Sequence, residues 1–312
     1  MKLFLTGATG YIGSVVAEKL QQAGHQVAGL ARSTASAEIL TARGIEVILG
    51  DLNDAPVLAA AARAADGVIH AAFKHEGTDF GQAVEVEQRA VWALLSGLAG
   101  SGKPFLLTSG TAVLGDTGTH VFDEQTPLAA RTVTSADSAD AGLKALLGRL
   151  AVEDMVLQAA GVRGIVLRPP NVYGRSDGHA VLALLRGAAQ ALGAVPYATG
   201  TADHQWSFVH VDDLADLYLL ALDNSPASEL YHAGAEPGLR TKGIAEAVSF
   251  GLGLAGRTVE LDLPALGEAL RMPPLAAYWA SNSQSSSEKA RRVLGWQPRH
   301  TQMLADVAQP AS

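Results

Sequence analysis

The first thirteen residues, Met1-Lys-Leu-Phe-Leu-Thr-Gly-Ala-Thr-Gly-Tyr-Ile-Gly13, constrain this chain more than any other stretch. The short apolar run Leu3 to Leu5 reads as a buried strand. Gly7, Gly10 and Gly13 then open a segment in which Ile12, Val15, Val16 and Leu20 recur at helical spacing. Strand, glycine turn and helix in that order suit a pyrophosphate, because backbone N–H groups approach the anion with no side chain in the way. The helix N-terminus adds partial positive charge. Gly7, Thr9, Gly10, Tyr11, Ile12 and Gly13 are therefore expected to line a dinucleotide, although their G-x-x-G-x-x-G spacing differs from the commoner G-x-G-x-x-G.

A second strand, Gln26 to Leu30, ends in Ala31-Arg32-Ser33. A carboxylate after this strand would accept hydrogen bonds from an adenosine ribose 2′-OH and repel a 2′-phosphate; an arginine does the opposite. With no acid there, Arg32 and Ser33 favour NADP, and NAD is the lesser expectation. The third strand, Ile45 to Leu49, closes on Gly50-Asp51-Leu52. Asp51 either meets the adenine amino group or caps the Ala-rich helix that follows, a task Asn53 or Asp54 performs equally well. The fourth strand, Gly67 to His70, leads into Ala71, Ala72 and Phe73, where the backbone would lie beside a cofactor, and then into the polar loop Lys74, His75, Glu76 and Asp79.

A helix from about Gly81 to Gly100 carries the apolar stripe Val84, Val91, Leu94, Leu95 and Leu98. The fifth strand, Phe105 to Thr108, runs into Ser109-Gly110-Thr111, and a loop-like stretch from Asp116 to Asp140 precedes a long helix, Ala141 to Ala160. The strand Gly164 to Leu167 then ends at Arg168-Pro169-Pro170-Asn171-Val172-Tyr173-Gly174. Strand–helix alternation of this kind implies an α/β fold with a doubly wound parallel sheet. Residues 1–174 with 206–228 read as the NAD(P)-binding Rossmann domain, and 175–205 with 229–312 as a smaller C-terminal substrate lobe.

Composition narrows the partners. A net charge of -8 argues against nucleic acid and anionic membranes and leaves a small-molecule substrate. The absence of cysteine excludes disulfides, thiolate catalysis and Cys-based zinc sites, and no His-rich metal spacing or G-x-S-x-G elbow is present. No apolar stretch reaches membrane-spanning length, and the N-terminal apolar run is consumed by the glycine turn, so a soluble cytoplasmic protein is expected.

Together, Thr6 to Gly13, Gly50-Asp51-Leu52, Arg168 to Gly174, Phe208-Val-His-Val-Asp-Asp-Leu-Ala215 and Leu294-Gly-Trp-Gln-Pro298 resemble the extended or atypical short-chain dehydrogenase/reductases, the NAD(P)-dependent epimerase/dehydratase family, over essentially the whole length. The resemblance implies a Rossmann domain that holds the cofactor, a lobe that closes over substrate, and hydride transfer at the nicotinamide. It also implies a homodimer through the helices near Val84 to Leu98 and Leu143 to Val156, although the same stripes would serve as core.

The family's Y-x-x-x-K pair is missing. With Glu153 as the glutamate that follows the lysine by four residues, Arg149 stands at the lysine position and Ala145 at the tyrosine position. No tyrosine occurs between Tyr11 and Tyr173, so no shift of the helix recovers one. Gly110 falls where the family's loop hydroxyl usually lies, with Ser109 and Thr111 beside it. Arg149 either forks onto ribose hydroxyls or pairs with Glu153 at i, i+4, and it remains protonated in both roles.

Thr111, Arg149, His75 and Tyr173 are the catalytic candidates, with Lys74 as a further proton carrier. Thr108, Ser109, Pro169, Asn171 and Val172 would border the nicotinamide. His204 and Trp206 face the substrate side, while Leu275, Tyr278 and Trp279 form an apolar wall. Three functions fit: an NADP(H)-dependent reductase of a carbonyl compound with a non-standard proton donor, a silent NADP(H) sensor, or a nucleotide-sugar epimerase or dehydratase.

Overall fold

The computed structural model describes residues 1–73, 80–128, 141–175 and 181–310. Its first half alternates strand and helix: β1 (Lys2–Thr6), α1 (Tyr11–Gln22), β2 (Gln26–Ala31), α2 (Thr34–Ala42), β3 (Glu46–Leu49), α3 (Ala55–Ala64), β4 (Gly67–His70), α4 (Phe80–Leu98) and β5 (Pro104–Thr108). A 3-10 turn over Thr111–Leu114 follows, then α5 (Ala141–Leu157), β6 (Arg163–Arg168) and β7 (Asn171–Tyr173). The remainder comprises α6 (Val181–Leu192), β8 (Val195–Ala198), β9 (Gln205–His210), α7 (Val211–Asn224), β10 (Glu229–His232), β11 (Glu236–Arg240), α8 (Thr241–Gly251), β12 (Thr258–Leu261), α9 (Leu263–Ala269), α10 (Pro273–Trp279), α11 (Glu288–Leu294) and α12 (Met303–Val307).

Among the described residues seven strands form one sheet in the order β10-β6-β5-β4-β1-β2-β3, every neighbouring pair parallel. Both faces are covered, as the strand sequences require. Leu3, Leu5, Ile69, Leu106, Ile165 and Leu167 pack on one side with α1, α7 and α11. Phe4, Val68, Phe105, Leu107 and Val166 pack on the other with α3, α4 and α5. Continuous apolar strands of this kind cannot leave a face to water. The chain winds outward from β1 to β3 on one side and restarts at β4 on the other, so the crevice beside the carboxyl ends of β1 and β4 is the topological switch point where such sheets bind ligands.

A second core lies beyond this sheet. β7, β9 and β11 form a three-stranded sheet, and β12 pairs with β8. Tyr173, Trp206, Phe208 and Trp279 pack there with residues of α6, α8, α9 and α12. Backbone bonds couple the stretch after the 3-10 turn to the run that follows α10: Thr117 N–H donates to the Asn282 carbonyl at 3.1 Å and Phe122 N–H to that of Gln284 at 3.1 Å. The serine-rich run Ser281 to Ser287 thus acts as a strand-like tie between elements. Among the described residues no helix is long and apolar enough to cross a membrane.

Candidate active site

The glycine turn is built as its residues dictate. Gly7 has φ +79, and a Cβ there would lie 2.7 Å from the Ala71 carbonyl oxygen, so the turn passes directly over the end of β4. A Cβ on Gly13 would lie 2.1 Å from the Gly7 carbonyl oxygen, which fixes the close seat of α1 on the turn. Gly10 differs. It is exposed, and its Cβ would meet only the Gly7 carbonyl oxygen, at 3.2 Å. The protein's own packing therefore constrains Gly10 less than Gly7 or Gly13, and its bare backbone lies open to the exterior. Gly10 is also the N-cap of α1 and makes no side-chain cap bond, so the start of the helix is a backbone N-terminus of the kind that favours an anion. These features fit a pyrophosphate.

Tyr11 itself turns aside. Its hydroxyl donates to the Gly174 carbonyl at 2.5 Å, and burial followed by the Asp212 carboxylate raises its pKa. Thr9 is exposed beside the turn.

At the adenosine end, Arg32, Gly50, Asp51, Asn53, Asp54 and Pro56 line an open recess of about 470 Å³. Asp54 caps α3 by accepting from Val57 N–H, while Asp51 accepts from Asn53 N–H at 2.6 Å and remains exposed. Of the two tasks open to Asp51, helix capping therefore falls to Asp54. Ser33 is spent on a capping box with Ser36 at the start of α2, and Leu52 packs against the α3 side of the core. The start of α2 thus lies next to Arg32, where its dipole and the guanidinium add.

The nicotinamide end is organised around Arg149. Its guanidinium forms an ion pair with Glu87 of α4, donates to the Thr108 carbonyl at 3.3 Å and lies 4.8 Å over the Phe73 ring. The expected i, i+4 partner is absent from this arrangement: Glu153 instead takes a bidentate grip from Arg168, at 2.9 and 2.5 Å, with both side chains buried. Burial raises the Glu87 pKa against the pull of Arg149. Glu87 sits between Val84 and Val91 on the apolar stripe of α4, and that break in the stripe was the sequence signal for it.

His70 was also missed as a site residue. It ends β4 with its Nδ1 2.8 Å from the Thr6 hydroxyl, and burial, then Arg149, lower its pKa to about 3. His70 Nε2, Ser109 Oγ, Thr111 Oγ1 and Asn171 Nδ2 are buried with no partner of hydrogen-bond geometry. All four stand on residues at or just beyond the carboxyl ends of β4, β5 and β6, where a polar ligand would satisfy them.

The other candidates are distributed as follows. Ala71, Ala72 and Phe73 are half-buried directly after β4. The Thr108 hydroxyl is 2.5 Å from that of Tyr218, Pro169 accepts from Thr111 N–H at 3.0 Å, and Val172 is core. Tyr173 is buried among the second core, where its hydroxyl faces Glu236 Oε1, the His300 carbonyl and Asp306 Oδ2 at 3.3 to 3.4 Å. Burial and those carboxylates raise its pKa, so it holds its proton. His204 Nδ1 lies 2.7 Å from the Ala280 carbonyl, and Trp206 is fully buried. His75, with Lys74, Glu76 and Asp79, lies outside the described residues. No cluster of His, Asp or Glu suited to a metal ion occurs among the described residues.

A family model described as the NAD dependent epimerase/dehydratase family matches residues 3–234. The Schizosaccharomyces pombe protein "Uncharacterized protein C2A9.02" is 33% identical over 100% of this chain and 99% of its own length. A UDP-glucose 4-epimerase of Corynebacterium glutamicum is 27% identical over 98% of this chain and 94% of its own. The solved structure of human epimerase family protein SDR39U1 with NADPH superposes with a TM-score of 0.73 at 18% identity, covering 99% of each chain, and shares the fold. A match that begins in the strand before the glycine turn and runs past β10 takes in the whole sheet and its switch point: the chain belongs to the NAD(P)-binding epimerase/dehydratase family.

Proposed function

We propose that this chain is an NADP(H)-dependent oxidoreductase that reduces a carbonyl-type small molecule with a proton donor other than the family's tyrosine. The observation that carries the reading is the contrast between Gly10, a backbone position open to an external group, and α5, which has neither the tyrosine nor the lysine of the family's pair at their expected positions. Arg32, in its recess beside the start of α2, supports a 2′-phosphate. Gly10 and the first-turn amides of α1 would hold the pyrophosphate, and Asp51 the adenine edge. Arg149, clamped by Glu87 and Phe73, would fork onto ribose hydroxyls. The bound nicotinamide supplies hydride; the protein supplies orientation and the proton.

Calorimetric titration with NADPH and NADH, followed by NADPH oxidation against aldehydes, ketones and nucleotide sugars, tests the reading. Tight NADPH binding with carbonyl turnover supports it, and preference for NADH overturns its cofactor. Tight binding with no turnover on any substrate would instead identify a sensor. The relative named as a UDP-glucose 4-epimerase favours nucleotide sugars as a second substrate class. The missing base on α5 weighs against that chemistry. Self-association through α4 belongs to the same reading, supported by Trp92, which is 64% exposed on that helix.

A further inference from the structure

The loss of the α5 tyrosine leaves a reductase with no obvious hydroxyl at the substrate oxygen. Gly110 makes the vacancy larger, since it replaces the loop hydroxyl and a Cβ on it would meet nothing closer than the Pro169 carbonyl oxygen at 3.8 Å. A different phenol stands at this loop. Tyr278 of α10 is half-buried, with its ring 4.6 Å from that of Trp206 in an edge-on contact at 65°. Its hydroxyl lies 3.4 Å from Ser283 Oγ.

The strand-like tie brings α10 to the 3-10 turn. Asn282 N–H donates to Asp116 Oδ1 at 3.1 Å and Gln284 N–H to Thr117 Oγ1 at 3.1 Å, so the residues flanking Ser283 are bonded to those following Leu114. Thr111, which opens that turn, is 2% exposed, and its hydroxyl lies beside the Tyr278 phenol.

We propose that Tyr278 is the hydroxyl that binds and protonates the substrate oxygen, reaching the site from α10 beside Thr111 rather than from α5. This inference rests on the reductase reading above. As hydride from a reduced nicotinamide forms the new C–H bond, the carbonyl π pair moves onto oxygen, the Tyr278 O–H bond breaks and its proton passes to that oxygen. The carbonyl is reduced to an alcohol, the nicotinamide is oxidised, and the phenolate regains a proton from water. An alkoxide is far more basic than a phenolate, so the transfer runs downhill. Burial raises the Tyr278 pKa, while the Ser283 and Thr111 hydroxyls beside it lower it; the net rise keeps the phenol protonated and ready to donate.

Benzoate, whose carboxylate resembles the oxyanion formed on a carbonyl carbon, is the probe. It is titrated into the full-length chain loaded with NADP+, with tryptophan fluorescence as the signal because Trp206 touches Tyr278. Tyr278→Phe is expected to weaken benzoate by about tenfold or more, the loss of one hydrogen bond to a charged group, with NADP+ affinity unchanged. Ser283→Ala, which removes only the phenol's resting partner, is expected to leave it nearly unchanged. Equal benzoate affinity in wild type and Tyr278→Phe, absence of binding in the wild type, or an equal loss in Ser283→Ala overturns the proposal.

Should the phenylalanine variant fail to fold, 3-fluorotyrosine at position 278 preserves the ring and hydroxyl. Its fluorine resonance must shift when benzoate is added, and an unmoved resonance overturns the proposal. NADPH oxidation by benzaldehyde, run in parallel, separates the two levels. Turnover undiminished in Tyr278→Phe rejects the phenol and keeps the reductase. Absent turnover with Tyr278-dependent benzoate binding rejects the reductase and keeps the phenol.

Discussion

Arg149 closes on Glu87 of the neighbouring helix, although Glu153 lies one turn along its own helix and grips Arg168 instead. The two pairs are both buried, so each carboxylate is its arginine's counter-charge in a region where water cannot replace it. Glu87→Ala is expected to lower the unfolding free energy by about 3–5 kcal/mol, because a guanidinium is left without a counter-charge. The double replacement Glu87→Leu with Arg149→Met is expected to be far milder, since it removes both charges together. Urea unfolding of the single and double variants checks this, and additive losses would sink it.

Much of this arrangement is legible in the sequence, and the reason lies in periodicity. The strands announce themselves because burial on both faces forces unbroken apolar runs such as Leu3 to Leu5. The glycine turn is legible because only glycine tolerates the contacts at Gly7 and Gly13. The partner of Arg149 is not, because i, i+4 spacing makes Glu153 the local choice and sequence spacing carries no information about α4. The Ser281 to Ser287 run hides its role for another reason: its ties are made by backbone groups, which every residue type possesses.

The three glycines of the turn separate folding from binding. Gly13→Ala sets a Cβ against the Gly7 carbonyl and should depress the melting temperature by several degrees, whereas Gly10→Ala, at an N-cap with φ -78, should melt almost as the wild type does. Gly10→Ala should still lose NADPH affinity by about tenfold or more. Melting curves and calorimetry on both variants read the difference, and a Gly10→Ala protein that binds NADPH normally would remove the cradle.

Arg32→Asp exchanges an attraction for a 2′-phosphate for a repulsion. NADPH binding should weaken by about a hundredfold, on the order of 3 kcal/mol, while NADH binding changes little. Calorimetry with both cofactors decides it; equal losses would place the 2′ position elsewhere.

His70 and His232 set an acid limit. Burial, then a nearby arginine, lowers each folded-state pKa to about 3, against about 6.5 in the unfolded chain. The unfolded chain therefore binds more protons between these values, so the contribution is complete above pH 6.5 and is lost as pH falls toward 3. Each histidine contributes a slope of about 1.4 kcal/mol per pH unit in that window. The difference between the stability curves of wild type and His70→Gln should show that slope between pH 4 and 6, and parallel curves would mean that His70 is not buried neutral.

The tie between residues 116–122 and 282–286 has a consequence for how the protein is made. The glycine turn lies between Gly7 and Gly13, whereas the opposite wall is stitched on by a segment about 270 residues further along the chain. Contacts so distant along the chain form late, after the loop between them has closed. A nascent chain thus gains its cradle well before it gains the wall that carries Tyr278, and a chain that stops short of the serine run never acquires the second half of its site.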